Sequence, residues 1–283
     1  MGVEIVLLST LEDVAPKERR GFWTGVFQSI KGTGSFMGPA VASVIVLFLP
    51  ISELFKISFM LILLMMILVI IFHEKRYSHK IKERDFNFIK DIIYFWESRE
   101  LKAIGVLGMS IHISEKFLFV FLPIFIISDL GLALFWVGVV AAFRYLFKLP
   151  EFLYGILSDK IGSGKLVIWG ALIKIIEIIA ISLSNSAFFL FIILAFSSIG
   201  AGMWNTSAWS FMSKIGEDGK EESRVVGSFI SLTALASFAS MVATGFLISC
   251  LGIRGMFILT GLIGLLGVFY ASRVIYKTTQ EIS

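Results

Sequence analysis

Long apolar runs separated by short polar or Gly/Pro-bearing breaks set the pattern of this chain. Eight runs approach the ~20 residues that a helix needs to cross hydrocarbon. They lie at about 22–49, 53–72, 102–128, 132–157, 165–184, 186–212, 225–250 and 254–276. None alternates strictly between apolar and polar residues. Lipid tolerates only helices or closed barrels, because a spanning backbone must satisfy its own polar groups. The pattern therefore predicts an all-α fold, a polytopic membrane helix bundle of about eight full transmembrane helices. Residues 1–11 form a ninth apolar run, too short to span alone. The longest polar stretch, His73 to Glu100, is the expected domain boundary. Within it Phe86 to Trp96 mixes aromatics with charges, which predicts an amphipathic helix at the membrane surface.

Composition agrees with lipid as the solvent. Of 283 residues, 57% are hydrophobic, 16% are charged and 28 are Phe, with a mean hydropathy of +0.89. Soluble domains average about 25% charged residues. A single Cys, Cys250, excludes an internal disulfide framework, and three scattered His residues offer no obvious metal site. No metal or cofactor is expected, and no cleavable signal peptide is evident.

Charge then orients the bundle. Most of the 25 Lys and Arg fall in alternate loops: Lys17, Arg19 and Arg20; the 75–102 linker; Lys160 and Lys165; Lys214, Lys220 and Arg224; Arg273 and Lys277. The opposite loops offer only Lys56 and Arg254. The positive-inside rule places the first set, and with it the C-terminus, in the cytoplasm. The net charge of +4 reads as membrane orientation and not as nucleic-acid binding.

Two motifs stand out. Gly155-Ile-Leu-Ser-Asp159-Lys160-Ile-Gly162-Ser-Gly-Lys165 is a charged, glycine-rich loop between two apolar runs. Gly162 permits turn conformations closed to other residues. Asp159 is available to a helix N-terminus, and Lys160 and Lys165 suit an anionic inner leaflet. The second motif is Gly34-Ser-Phe-Met-Gly38-Pro39-Ala-Val-Ala-Ser43, whose small residues four apart predict close helix packing and whose proline predicts a bend.

The first motif resembles the signature loop of the major facilitator superfamily. The second resembles a pattern in the fifth helix of exporters of that family, with Ala42 and Ser43 replacing its last glycine pair. Pro16 to Gly21 is similar to the loop before that helix. A faint repeat at an offset of 202, matching Gly25, Phe27, Ser29, Ser35 and Phe36 to Gly227, Phe229, Ser231, Ser237 and Phe238, fits two parallel repeated halves. The resemblance implies a secondary transporter of the plasma membrane. It would move a small organic solute by alternating access, with proton-coupled efflux (antiport) as the exporter motif suggests.

The same resemblance assigns the domains. Residues 1–73 correspond to a remnant of an N-terminal half, from the tail of its fourth helix through its sixth. Residues 74–101 form the cytoplasmic linker, and 102–283 the six-helix C-terminal half. On this alignment the chain lacks the first helices of the plan. The competing expectation is a non-transporting fragment, or a half that needs a partner chain for the missing helices. The expected partners are otherwise membrane lipids, the solute and protons.

Charges at bilayer depth cost at least about 2.5 kcal/mol each on insertion scales and tend to face a cavity or a partner. Here they are Lys31, Glu115, Lys116, Arg144, Lys148, Glu151, Lys174 and Glu177. Glu115, Lys116, Arg144, Lys148 and Glu151 are the candidates for a solute and proton pathway. Glu115 is the expected proton carrier, and Arg144 a partner for it or for an anion. On one continuous helix, Arg144, Lys148 and Glu151 would share a face, and Lys174 would pair with Glu177. Trp204, Asn205 and Trp209 are candidates for the cavity wall.

Overall fold

A computed structural model describes residues 20–72, 88–146, 149–218 and 222–282. These are helical, with no strand among them. In chain order the helices are α1 (Arg20–Val46), α2 (Ile51–Phe72), α3 (Phe88–Glu97), α4 (Arg99–Ile124), α5 (Leu134–Phe143), α6 (Glu151–Ile161), α7 (Ser163–Ser182), α8 (Ala187–Asp218) and α9 (Glu222–Ile282). Residues 1–19 and 73–87, which held the short ninth run and most of the linker, lie outside the described residues.

Four helical stretches among the described residues are long and apolar enough to cross a membrane: Ile51–Ile71, Arg99–Asp129, Ala187–Ile215 and Arg224–Tyr276. The last is 53 residues long, about 80 Å at the helical rise and far more than one bilayer. It is interrupted at Gly252, with φ 65° and ψ 175°. That left-handed φ suits glycine and divides α9 into two arms, 222–251 and 253–282.

One expected span differs in kind. The run 132–157 is not a continuous helix. It ends as α5 at Phe143 and restarts as α6 at Glu151, with Pro150 immediately before it. Proline lacks an N–H, and its ring pushes the preceding residue out of helical conformation. Hydropathy carries across such a site, but the backbone does not. Arg144, Lys148 and Glu151 therefore do not share a helical face, and Lys148 lies outside the described residues.

The two arms of this broken span pack along α1 at very close range. A Cβ on Gly25 would meet the backbone of Phe152 and Glu151 at 2.6–2.7 Å. A Cβ on Gly138 would meet Ser43 Cβ at 2.6 Å and the Pro39 carbonyl at 2.9 Å. The packing face of α1 thus runs through Gly25, Pro39 and Ser43. Gly34 and Gly38, expected to form it, meet nothing within 4 Å. Spacing alone shows that small residues share a face. It does not show which way that face turns. Gly227, the repeat counterpart of Gly25, also faces open space.

The remaining helices share a core in two clusters. One joins Phe95 of α3 with Ile104, Leu107, Ile175, Trp204 and Phe229. The amphipathic segment is therefore seated by a fully buried aromatic ring. The other gathers Phe117, Phe125, Leu190 and Phe257, with Phe117 and Phe257 edge to face at 4.9 Å. By contrast, none of the spanning window of α2 is buried.

At the end of the bundle bearing Gly252, Arg254 fastens three elements. Its Nη1 donates to the Ser182 carbonyl at 2.8 Å, at the end of α7. Its Nε lies 3.6 Å from Asp129 Oδ1, and its guanidinium sits 5.0 Å above the Phe125 ring. The ion pair is partly exposed and counts for little, but the bond to a helix-terminal carbonyl adds to it. Arg254→Ala is expected to cost about 1–2 kcal/mol, read as a lower melting temperature in detergent. An unchanged melting temperature would show the clamp to be idle.

Candidate functional site

Six of the eight charges at bilayer depth line one cavity of about 380 Å³: Lys31, Glu115, Lys116, Arg144, Glu151 and Lys174. α1 contributes Gln28, Lys31 and Ser35, and α4 contributes His112, Glu115, Lys116 and Phe119. The end of α5 contributes Arg144 and Tyr145, the head of α6 contributes Glu151, and α7 contributes Lys174. α8 supplies Ser197, Trp204, Asn205 and Trp209, and the first arm of α9 supplies Phe229 and Thr233. Arg144 caps the end of α5 in helical conformation, and it lines the cavity together with Glu151 at the head of α6.

Ion pairing crosses between helices. Lys174 Nζ lies 2.6 Å from Glu115 Oε1, linking α7 to α4. Arg144 Nε lies 3.5 Å from Glu177 Oε1, linking the break to α7. The expected pairing of Lys174 with Glu177 along one helix is therefore replaced by two interhelical pairs. A buried charge needs a close partner of opposite sign, and the neighbouring helices supply one for each. Lys174 and Glu177 are both about 3% exposed, so their pairing is shielded from water. Sequence reasoning underweighted both residues. Their signal was present, since two charges inside an otherwise apolar run require partners elsewhere.

Not all polar groups are equally well held. Neither oxygen of Glu177 receives a hydrogen bond. Glu151 is 1% exposed, at the head of α6. Next to it, the Phe152 N–H donates to Ser29 Oγ at 3.1 Å, tying α6 to α1. Of the cavity-wall candidates, Trp204 is buried, while Trp209 and Asn205 are half-buried on the cavity wall. Among the described residues, no group of three His, Cys, Asp or Glu could hold a metal ion.

The glycine-rich motif, expected as a loop, is mostly helical: Gly155–Ile161 close α6, Ser163–Lys165 open α7, and Gly162 alone stands between them. Gly155 is buried, whereas Asp159, Lys160 and Lys165 are exposed. Gly162 has φ 93° and ψ 133°, a left-handed geometry that ends α6 and starts α7 within a single residue. Asp159 Oδ2 accepts the Phe22 N–H at 3.3 Å. That N–H belongs to the first turn of α1, where orphan donors and the helix dipole favour a carboxylate. The motif thus joins segments 137 residues apart.

The family model of the Major Facilitator Superfamily matches residues 3–147 and 104–282, two overlapping stretches that together cover nearly the whole chain. The chain belongs to the major facilitator superfamily. Among curated proteins no match was found. Membership accounts for the polytopic helical bundle and identifies the chain as a multi-pass membrane protein of a transporter family. It also gives the cavity a context, because such proteins carry a solute site between packed helices near the bilayer midplane.

Proposed function

We propose that this facilitator-superfamily chain moves a small organic solute across the plasma membrane by alternating access, coupled to protons and in the direction of efflux. The observation that carries this reading is the cavity pair Lys174–Glu115 beside Arg144–Glu177. Lys174 has a second carboxylate, Glu177, one turn along its own helix. A proton on Glu115 removes the charge that holds Lys174, which can then turn to Glu177. Two discrete pairings of one cation give the bundle two states that a proton selects between. The basic loops, including Lys160 and Lys165, face the cytoplasm together with the C-terminus. The glycine–proline motif of α1 supports efflux through its likeness to exporters.

The test is Glu115→Gln in proteoliposomes of the purified chain. The neutral amide keeps the shape and cannot carry the proton. We expect solute movement driven by a pH gradient to fall at least ~10²-fold, the lower bound for losing a positioned proton carrier, with membrane insertion intact. Unchanged proton-driven movement refutes the role.

A second reading has an observation of its own. The spanning window of α2 has no buried residue, and Gly227 of α9 meets nothing within 4 Å. A partner chain could pack on these faces and complete the cavity wall, making this chain a half-transporter, or non-transporting when alone. Transport by the purified chain alone removes this reading.

A further inference from the structure

Resting on the transport reading, we infer that the solute is an organic anion, one carboxylate or phosphate on an aromatic or apolar body. The cavity walls carry Lys31, Lys116, Arg144 and Lys174 against Glu115 and Glu151. Glu177, behind Arg144, is the third carboxylate in reach. The four cations outnumber the three carboxylates by one.

Two of these cations have donors to spare. Among the described residues, the Arg144 guanidinium has Glu177 as its sole partner, through Nε at 3.5 Å, and Glu177 accepts no hydrogen bond from it. Its side chain is 13% exposed, held inside the cavity and not out in bulk water. A guanidinium carries five N–H donors in a planar fork, four of them on its terminal nitrogens. That fork matches the two oxygens of a carboxylate or phosphate. Lys116 is exposed on the same wall and has no ion-pair partner among the described residues. Lys174 is not available in this way, because Glu115 holds it at 2.6 Å.

The rest of the wall accommodates an uncharged body. Trp204, Trp209 and Phe229 form an aromatic side to the cavity, with Trp209 and Phe229 edge to face at 6.3 Å. A flat ring can lie against these faces while its anionic group reaches Arg144. A cationic solute would meet the spare guanidinium donors and Lys116 in a cavity where like charges repel strongly.

The experiment measures binding to the full chain in lipid nanodiscs by calorimetry and by tryptophan fluorescence. The probes are benzoate and phenyl phosphate, with benzamide and benzylamine as the matched neutral and cationic forms. At least one anion should bind ~10-fold or more tightly than benzamide and benzylamine, the increment expected of a charge-assisted pair. Arg144→Gln should weaken that anion ~10-fold while leaving benzamide within ~2-fold, and Arg144→Lys should recover part of the loss. Lys116→Gln, at an exposed position, should weaken anions a few-fold. The inference is overturned if neither anion binds, if benzylamine binds as tightly as the anions, or if benzoate and phenyl phosphate are indifferent to both substitutions. Reconstituted vesicles separate the two proposals. An anion that binds but is not moved defeats the transport reading alone. Movement of benzamide or benzylamine without the anions defeats this inference alone.

Discussion

Lys174→Met is expected to be among the most damaging single substitutions in the chain. Lys174 is about 3% exposed and holds Glu115 at 2.6 Å. Removing one partner of a buried pair leaves a carboxylate without its counter-charge, and such losses run to about 3–5 kcal/mol when both groups are fully buried. The Glu115 side chain is 27% exposed, so water in the cavity relieves part of this, and the lower end of that range is expected. The double variant Lys174→Met/Glu115→Gln removes both charges and should recover most of the stability. It should not recover proton-driven transport. Thermal unfolding of the four proteins in detergent closes the cycle. A double variant no more stable than Lys174→Met would show that the pair does not act as a unit.

Gly25→Ala should separate α1 from α6. Its new methyl would sit 2.6–2.7 Å from the backbone of Phe152 and Glu151. Backbone cannot rotate out of the way as a side-chain tip can, so the helices must move apart. Overpacking of this kind costs about 1–3 kcal/mol. Here it would also pull on the Phe152–Ser29 hydrogen bond. Gly34→Ala, on the same helix but facing open space, should be neutral or slightly stabilising through helix propensity. Melting temperatures in detergent read both. Equal effects at the two positions would mean that α1 is rotated from the orientation described.

The helical class and the place of most helices were legible because apolar length is a one-dimensional property and lipid enforces it. The turn at Gly162 was legible for a related reason, since its signal is local in sequence, although the residues on either side of it are helical and not loop. The charged residues could be named, because any ionised group inside an apolar run is conspicuous. Their partners could not. Lys174 and Glu177 are three apart, and sequence offers only that neighbour, whereas the structure offers Glu115 and Arg144 from other helices. Gly34 and Gly38 misled for the same reason, because rotation of a helix about its own axis is a tertiary property. Pro150 was visible, but hydropathy ran on past it, and the period of apolar residues says nothing about a missing N–H.

The interrupted span has a mechanical consequence. Both of its arms are pinned to α1, α5 through Gly138 against Pro39 and Ser43, and α6 through Gly25. α1 thus acts as a splint across a fracture. It cannot tilt as a rigid rod without changing the angle between the two arms. Arg144 stands at the edge of that fracture, so any such tilt alters its distance to Glu177. Asp159, gripping the first turn of α1 from the far end of α6, sets the pivot of the lever.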